Sequence, residues 1–313
     1  MLADDLVRVA KGEVLSDDWS RRVYSVDASH YEVEPAAVVY PMDAHDVQEI
    51  MRFAAAKKLR VTGRGAGTGL LGQSLSNGIV LDFSKHMDRV LEMGDGYVVV
   101  QPGIVKGVLD KELKKKNKFL PPDPASSNYC TIGGMIVDNS SGVHCLGYGN
   151  TIDFVDAIDL VYPDGSKGQA SATSYDDKMS ALKRLLTPHT DLIKNGYPKV
   201  SKNSCGYRLD AVAGDTFQPH KVLAASEGTL ALVTSARFKI YDLPERRCLL
   251  VLGFEDLMDA VRAVSAILRF SPVALELLDH TVFLHSGTAE KGSMLYVEFA
   301  GADAQEQLEQ CKQ

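Results

Sequence analysis

Apolar and polar residues change period several times along this chain, and each change marks an element. Ala37 to Tyr40 is a short apolar run closed by Pro41, which predicts a strand. Asp43 then stands where a helix N-cap belongs. Val47, Ile50, Met51 and Ala54 follow at helical spacing, so a helix is expected from Asp43 to Lys58. Arg60 to Thr62, Ile79 to Asp82, Val90 to Met93 and Val98 to Gln101 read as short strands between turn residues. Ile104 to Lys118 returns to helical spacing and ends in a basic run, Lys111 to Lys118, which reads as a solvated helix face. Pro121 to Pro124 breaks that pattern. Ala157 to Tyr162 predicts a strand, Pro163-Asp164-Gly165-Ser166 a hairpin turn, and Tyr175 to Lys194 a polar, helix-prone stretch. Leu230 to Ile240 alternates and is β-branched, as a strand should be.

The pattern restarts after Pro244. A strand is expected at Leu249 to Phe254, an amphipathic helix at Asp256 to Phe270, and strands at Leu275 to Leu278 and Met294 to Ala300. A helix starts at Asp303 and runs toward Gln313. Residues 1–19 carry a helical signal, with Leu2, Leu6 and Val9 on one side. No internal repeat is visible. Many short strands with few long helices predict an α+β chain, divided near Tyr241 to Glu245.

Composition narrows the function classes. The chain has 313 residues, 45% hydrophobic and 24% charged, with a formal charge of −7. That is ordinary for a globular protein, and a nucleic-acid partner would call for a basic balance instead. No apolar run reaches the roughly 18 residues that a transmembrane helix needs. Met1 to Val14 is charged and mixed, unlike a secretory signal. Cys130, Cys145, Cys205, Cys248 and Cys311 are scattered without a CxxC pair, which argues against an iron–sulfur or structural zinc site. Sparse thiols fit a cytoplasmic protein, with room for peripheral attachment to the inner face of a membrane.

The candidate chemistry lies in four small-residue segments. Val61 to Gly72 reads VTGRGAGTGLLG, with Gly63, Gly65, Gly67, Gly69 and Gly72 and the small residues Ala66 and Thr68 between them. Consecutive backbone amides in such a loop can converge on an anion, and a pyrophosphate is the natural guest. The loop lacks the Gly-Lys-Ser/Thr ending of a Walker loop and does not open a helix with GxGxxG. Pro121 to Ser127 is stiff and then small and polar, suited to one wall of a slot. Thr131-Ile132-Gly133-Gly134-Met135 precedes Asp138-Asn139-Ser140-Ser141-Gly142, and Ser226-Glu227-Gly228-Thr229-Leu230 opens a strand. Each alone also fits a tight turn.

In this order, RGAGTG, PDPAS, TIGG, NSSG-VH-CLGYG and SEGTL resemble the FAD-linked oxidases of the vanillyl-alcohol oxidase and p-cresol methylhydroxylase (PCMH) type. The likeness is strongest to the D-lactate dehydrogenase and glycolate oxidase GlcD branch. Tyr24 to Ser29 and Lys202 to Tyr207 resemble the same family, and the likeness runs from about residue 20 to 300. It implies a PCMH-type FAD-binding domain of two α+β subdomains over residues 1–244, followed by the first part of an α+β cap, or substrate, domain over residues 245–313.

The resemblance also implies roles. Arg64, Gly65, Ala66, Gly67, Thr68 and Gly69 would wrap the pyrophosphate through backbone amides, with Gly63 before them and Gln73 adding a side-chain bond. A valine side chain at Gly67 would then stand where the pyrophosphate approaches. Pro124, Ala125, Ser126, Thr131, Gly133 and Gly134 would line the flavin and ribityl chain, beside Asp138, Asn139, Ser140, Ser141 and Gly142. Glu227, Gly228 and Thr229 would close the site. Some relatives attach the flavin to a histidine in the glycine loop. Here Ala66 follows Gly65 and no histidine is present there, so non-covalent FAD is implied.

The implied reaction is oxidation of a small D-2-hydroxy acid, lactate- or glycolate-like, by hydride transfer to flavin N5, with an iron–sulfur or quinone electron acceptor. Alternatives within the same fold act on phenols, sugars or other alcohols, or make alkyl-glycerone phosphate. A flavin-carrying subunit that serves an iron–sulfur partner is a third reading. His144 is a candidate for a redox or substrate role, and Lys202 and Arg208 are candidates for the substrate carboxylate. The family's HxxxGDGNxH motif is absent, although Glu276, His280 and His285 are present. Residues 245–313 are therefore expected to be a cap cut short, with the catalytic base beyond it. With two strands, near Leu249 to Phe254 and Met294 to Phe299, that cap is expected to be marginal and less protected than residues 20–240.

Overall fold

The computed structural model describes residues 2–200, 202–287 and 292–312. Strands β1 (Glu13–Leu15), β2 (Ala37–Tyr40), β3 (Val61–Arg64) and β4 (Ile79–Asp82) form a first sheet in the order β1-β2-β4-β3. β2, β4 and β3 are parallel and β1 joins antiparallel. β4 is buried at every residue, as a central parallel strand covered on both faces requires. The helix Ala44–Lys57 connects β2 to β3 and packs Val47, Ile50, Met51 and Ala54 on this sheet. It starts where the sequence says. The Asp43 side chain accepts the Asp46 amide, and Lys58 ends the helix in the left-handed conformation at φ 56°.

The short helix expected within residues 1–19, with Leu2, Leu6 and Val9 on one side, forms but fills only part of that range. Leu2–Val9 is helical, β1 follows, and a second short helix spans Asp18–Val23. The cause lies elsewhere in the chain. The Asp46 carboxylate accepts the amides of Lys11, Gly12 and Met42, which draws residues 11–15 straight along β2. A Cβ on Gly12 would stand 1.8 Å from the Tyr40 carbonyl oxygen, so this approach needs a glycine.

The second sheet takes in β5 (Val90–Met93), β6 (Tyr97–Val100), β8 (Val155–Val161), β9 (Lys167–Ser171) and β10 (Leu232–Lys239). It is antiparallel throughout, in the order β5-β6-β10-β8-β9. β7 (Lys118–Phe119) and β11 (Tyr241–Asp242) make a separate two-stranded ribbon. The helix expected over Ile104 to Lys118 covers only Lys106–Lys114, because Asn117 at φ 56° turns the chain back into β7. Leu109, Leu113, Ile132, Ile136 and Met179 from three helices meet Val98, Ile158, Leu160 and Phe238 of the sheet in the largest apolar cluster.

The third sheet holds β12 (Arg247–Phe254), β13 (Ala274–Leu278) and β14 (Ser293–Ala300), antiparallel in the order β12-β14-β13. Helices Leu257–Ile267 and Ala304–Cys311 cover one face, with Ala260, Ile267, Ala304 and Leu308 against Leu295, Val297 and Phe299. The expectation of a marginal two-stranded sheet is thus corrected. Leu275 to Leu278 supplies a third strand, and three strands with a covered face meet the usual condition for stability. No described helix is long and apolar enough to cross a membrane.

Candidate functional site

Three of the four small-residue segments meet in one cleft of about 490 Å³. The glycine loop supplies Gly63, Ala66, Gly67, Thr68 and Gly69, with Gln73 and Ser74 behind it. Pro124, Ser126 and Thr131 form a second wall. Gly134, Asp138, Asn139, Ser140 and Ser141 form the floor, and Lys202 and Ser204 reach the rim. A narrower chamber adjoins the cleft, sharing Gly63, Gly65 and Thr131 and adding Arg64, Gly133 and Gly228. Beyond Gly228 lies a third hollow that includes Thr229. The three spaces make an elongated slot, which suits a dinucleotide better than a compact ligand.

The glycine loop is held from behind by the segment Tyr24 to Ser29. The Ala28 amide donates to the Gly67 carbonyl at 2.9 Å, and the Ser74 hydroxyl donates to Asp27 at 2.8 Å. Arg64 faces the same way. Its guanidinium donates to the carbonyls of Tyr24 and Val26, at 3.3 and 2.8 Å, and lies over the Tyr24 ring. The one base of the loop is therefore spent on its scaffold. The amides of Ala66, Gly67, Thr68 and Gly69 donate no hydrogen bond within the described residues, which leaves four successive dipoles for an anion.

Gly67 sits at φ +65°, and a Cβ there would stand 2.8 Å from the Arg64 guanidinium and 3.4 Å from Asp27. A side chain at Gly67 thus also meets the loop's scaffold. At Gly65 a Cβ would stand 2.0 Å from Thr131 Oγ1, so this glycine lets the loop touch the next wall. Thr131 in turn caps the helix Ile132–Asp138, whose Gly133 packs on Pro102; a Cβ there would stand 2.7 Å from it.

That helix ends at Asn139, fully buried and left-handed at φ 52°. Its side-chain oxygen accepts the Ile152 amide, and its Nδ2 has no partner. Asp138 accepts from Gln73 and Ser140, at 3.3 and 2.7 Å. Glu227, left-handed at φ 52°, donates its amide to Val137. Burial, with Asp138 as the second cause, raises its carboxyl pKa, and its Oε2 is buried without a partner. Both unpaired atoms are enclosed by protein rather than open to the slot, and Glu227 lines none of its three spaces. The free amides and the elongated shape fit the FAD that the resemblance implies.

Some expected residues stand outside the slot. Ala125 is exposed and does not line it. Gly142 packs on Asp123, where a Cβ would stand 2.0 Å from the carbonyl oxygen. Arg208 is bound to Asp210 at 2.8 Å and to the Asn203 carbonyl at 2.9 Å, and its side chain is 15% exposed, so it offers no free cation. His144 does not line the slot either. Its Nδ1 donates to Asp123 at 2.5 Å, and its Nε2 stands 3.2 Å from Glu298 of β14, near enough for an ion pair but off the line of a hydrogen bond. Asp123 first, and Glu298 after it, hold the imidazole pKa above its usual value. Arg247 lies 3.8 Å from the same Glu298. A histidine placed between two carboxylates in this way joins the third sheet to the rest of the molecule. The Gly147 amide bonds to the Val273 carbonyl across the same seam at 3.1 Å.

Val137 lines the cleft, and Phe83 and Pro102 the chamber, although nothing in the sequence marked them; Cys130 and Met135, which fall within the expected segments, line the cleft as well. Ser74 was likewise unmarked, and Asp27 was marked only as part of the flanking text Tyr24 to Ser29.

Comparison with known proteins agrees with this geometry. Residues 35–167 match a family model described as an FAD binding domain, and residues 243–313 match the C-terminal domain of FAD linked oxidases. The chain is 31% identical to D-2-hydroxyglutarate dehydrogenase of Pseudomonas putida over 294 residues, which cover 88% of this chain and 29% of that protein. It is 31% identical to glycolate oxidase subunit GlcD of Bacillus subtilis, over 90% of this chain and 54% of that one. The chain therefore spans about three tenths of one relative and about half of the other. Among solved structures, alkyldihydroxyacetonephosphate synthase superposes with a TM-score of 0.71 at 18% identity, over 98% of this chain and 60% of that one. 6-Hydroxy-D-nicotine oxidase of Arthrobacter nicotinovorans gives 0.66 at 16%, over 97% and 59%. At such identities the superpositions speak for the fold. With both family models, the relatives and the superposed folds in agreement, the chain belongs to the FAD-linked oxidases, with a PCMH-type fold and FAD as its cofactor.

Proposed function

We propose that residues 1–244 form the FAD-binding domain and residues 245–313 part of the substrate cap of a dehydrogenase for a small D-2-hydroxy acid. The observation that carries this reading is the meeting of the glycine loop, Pro124 to Thr131 and Asp138 to Ser141 in one elongated slot. Relatives named for D-2-hydroxyglutarate, glycolate and D-lactate support the substrate class. Bound in the slot, FAD supplies the hydride acceptor, its N5, for oxidation of the carbon that bears the 2-hydroxyl. The chain's own residues bind and orient. The four free amides from Ala66 to Gly69 face the pyrophosphate charge. The walls exclude water from the slot.

The test is anaerobic. Purified yellow protein is mixed with D-lactate, glycolate or D-2-hydroxyglutarate, and loss of the flavin absorbance is followed. Bleaching by one of these acids and not by its L-isomer, where one exists, is the expected result. Flavin that stays oxidised with all three, while simple alcohols reduce it, would overturn the substrate class. A second reading is a flavin-carrying subunit that hands electrons to an iron–sulfur or quinone acceptor. The relative named as a glycolate oxidase subunit favours it.

FAD is held without a covalent bond in this proposal, since Ala66 occupies the loop position where some relatives carry the linking histidine. Acid precipitation is expected to release all the yellow colour into the supernatant. Colour retained in the pellet would show a linkage to some other residue.

A further inference from the structure

We infer that Lys202 is the charge partner of the cofactor's pyrophosphate, carried over the mouth of the cleft by a strap of residues 202–208. The inference rests on the FAD reading above and names a residue for which the resemblance suggested a different task, the substrate carboxylate.

Charge is the first argument. A pyrophosphate brings two negative charges into a slot that already holds the Asp138 carboxylate. Arg64 cannot answer them, because its guanidinium is turned onto Tyr24 and Val26. Arg208 cannot either, because Asp210 and the Asn203 carbonyl take it up. Among the described residues that line the cleft, Lys202 is the one lysine or arginine. Its ammonium meets only the Ser141 hydroxyl, a neutral partner, and no described carboxylate pairs with it. A lysine so placed keeps its charge for a ligand.

The strap is the second argument. Its root is fixed: Arg208 is tied to Asp210, and the Tyr197 hydroxyl donates to the Tyr207 carbonyl at 2.6 Å. The Tyr207 hydroxyl lies 2.8 Å from Thr229 Oγ1, at the far hollow of the slot. Lys202 and Ser204 reach the rim of the near cleft. The strap therefore touches both ends of the slot, and its lysine falls beside Ser141. A cation at the rim and the amides of Ala66 to Gly69, which have no partner among the described residues, line one cleft, the makings of an anion site.

The experiment compares three ligands on the flavin-free protein: FAD, ADP, which keeps a diphosphate without the flavin, and riboflavin, which keeps the flavin without phosphate. Lys202→Gln is expected to weaken FAD and ADP by about tenfold, the effect of one partly exposed charged hydrogen bond, and to leave riboflavin unchanged. Added salt should weaken FAD binding less in the variant than in the parent, and Lys202→Arg should restore most of the affinity. Lys202 is exposed, so the variant should melt with the parent. Unchanged FAD and ADP affinities in Lys202→Gln would overturn the inference and leave the FAD reading intact. An equal loss for riboflavin would also overturn it, by placing the lysine at the flavin. Failure of the parent protein to bind FAD at all would remove both.

Discussion

A Gly67→Val protein is expected to leave purification colourless while still folded. Gly67 lies at φ +65°, where a β-branched residue is strained by about 1–3 kcal/mol. Its new Cβ would also stand 2.8 Å from the Arg64 guanidinium. Either the loop changes course or Arg64 leaves the carbonyls of Tyr24 and Val26. A change of course would break the Ala28 to Gly67 bond and re-aim the four free amides. A loss of FAD affinity on the order of 100-fold, ~2.7 kcal/mol, is expected. Titration of the flavin-free variant with FAD measures it, and circular dichroism checks the fold. Parent-like affinity and stoichiometry in a folded variant would show that the amides of this loop do not hold the cofactor.

The second large effect is expected at the seam that His144 bridges. Its pKa is raised, so the charged pairing contributes fully below the usual histidine pKa of about 6.5 and is lost as pH rises through the raised value. The groups that face the imidazole are Asp123 on one side and Glu298 on the other, with Arg247 behind Glu298 and Tyr148 alongside. The imidazole is 15% and Glu298 22% exposed, so solvent screens only part of the pairing. His144→Leu is expected to weaken the seam by about 1.5–3 kcal/mol, the worth of hydrogen bonds to a charged group. Hydrogen exchange reads this at the Gly147 amide, which bonds across the seam to Val273. Its protection factor should fall at least tenfold in the variant, and also in the parent at alkaline pH. Strands β12 and β14, paired along eight residues, should keep theirs. Loss of protection in those strands to the same degree would mean that the third sheet has no stability of its own.

Much of the fold was readable where local chemistry decides it. Asp43 announces its helix, Ile79 to Asp82 and Val90 to Met93 are strands at the expected bounds, and Pro163 to Ser166 joins β8 to β9 as a hairpin turn. The reading fell short where distant parts of the chain decide. Residues 11–15 form a strand because Asp46, more than 30 residues on, takes their amides. Ile132–Asp138 is helical in spite of two glycines, because Pro102 fills the space against Gly133. The cleft was legible as a set of small-residue segments, since glycines that allow close approach are visible as letters. The aim of a long side chain is not. The Arg64 side chain, the one base in the loop, is a strut, and His144, a candidate for a redox or substrate role, is a bridge between two carboxylates.

The place of β10 in the second sheet bears on how the protein is made. β10 spans Leu232–Lys239 and lies between β6, more than 130 residues earlier, and β8. On a ribosome the first sheet has all its strands once Asp82 has emerged, but β5–β6 and β8–β9 remain two unconnected hairpins until the chain has grown past Lys239. The apolar cluster beneath the cleft floor draws on both hairpins and on Phe238. Pairings of such long sequence separation close slowly. The floor that carries Asn139 thus sets only after about three quarters of these residues are synthesised, and a nascent chain would have no finished seat for its cofactor before then.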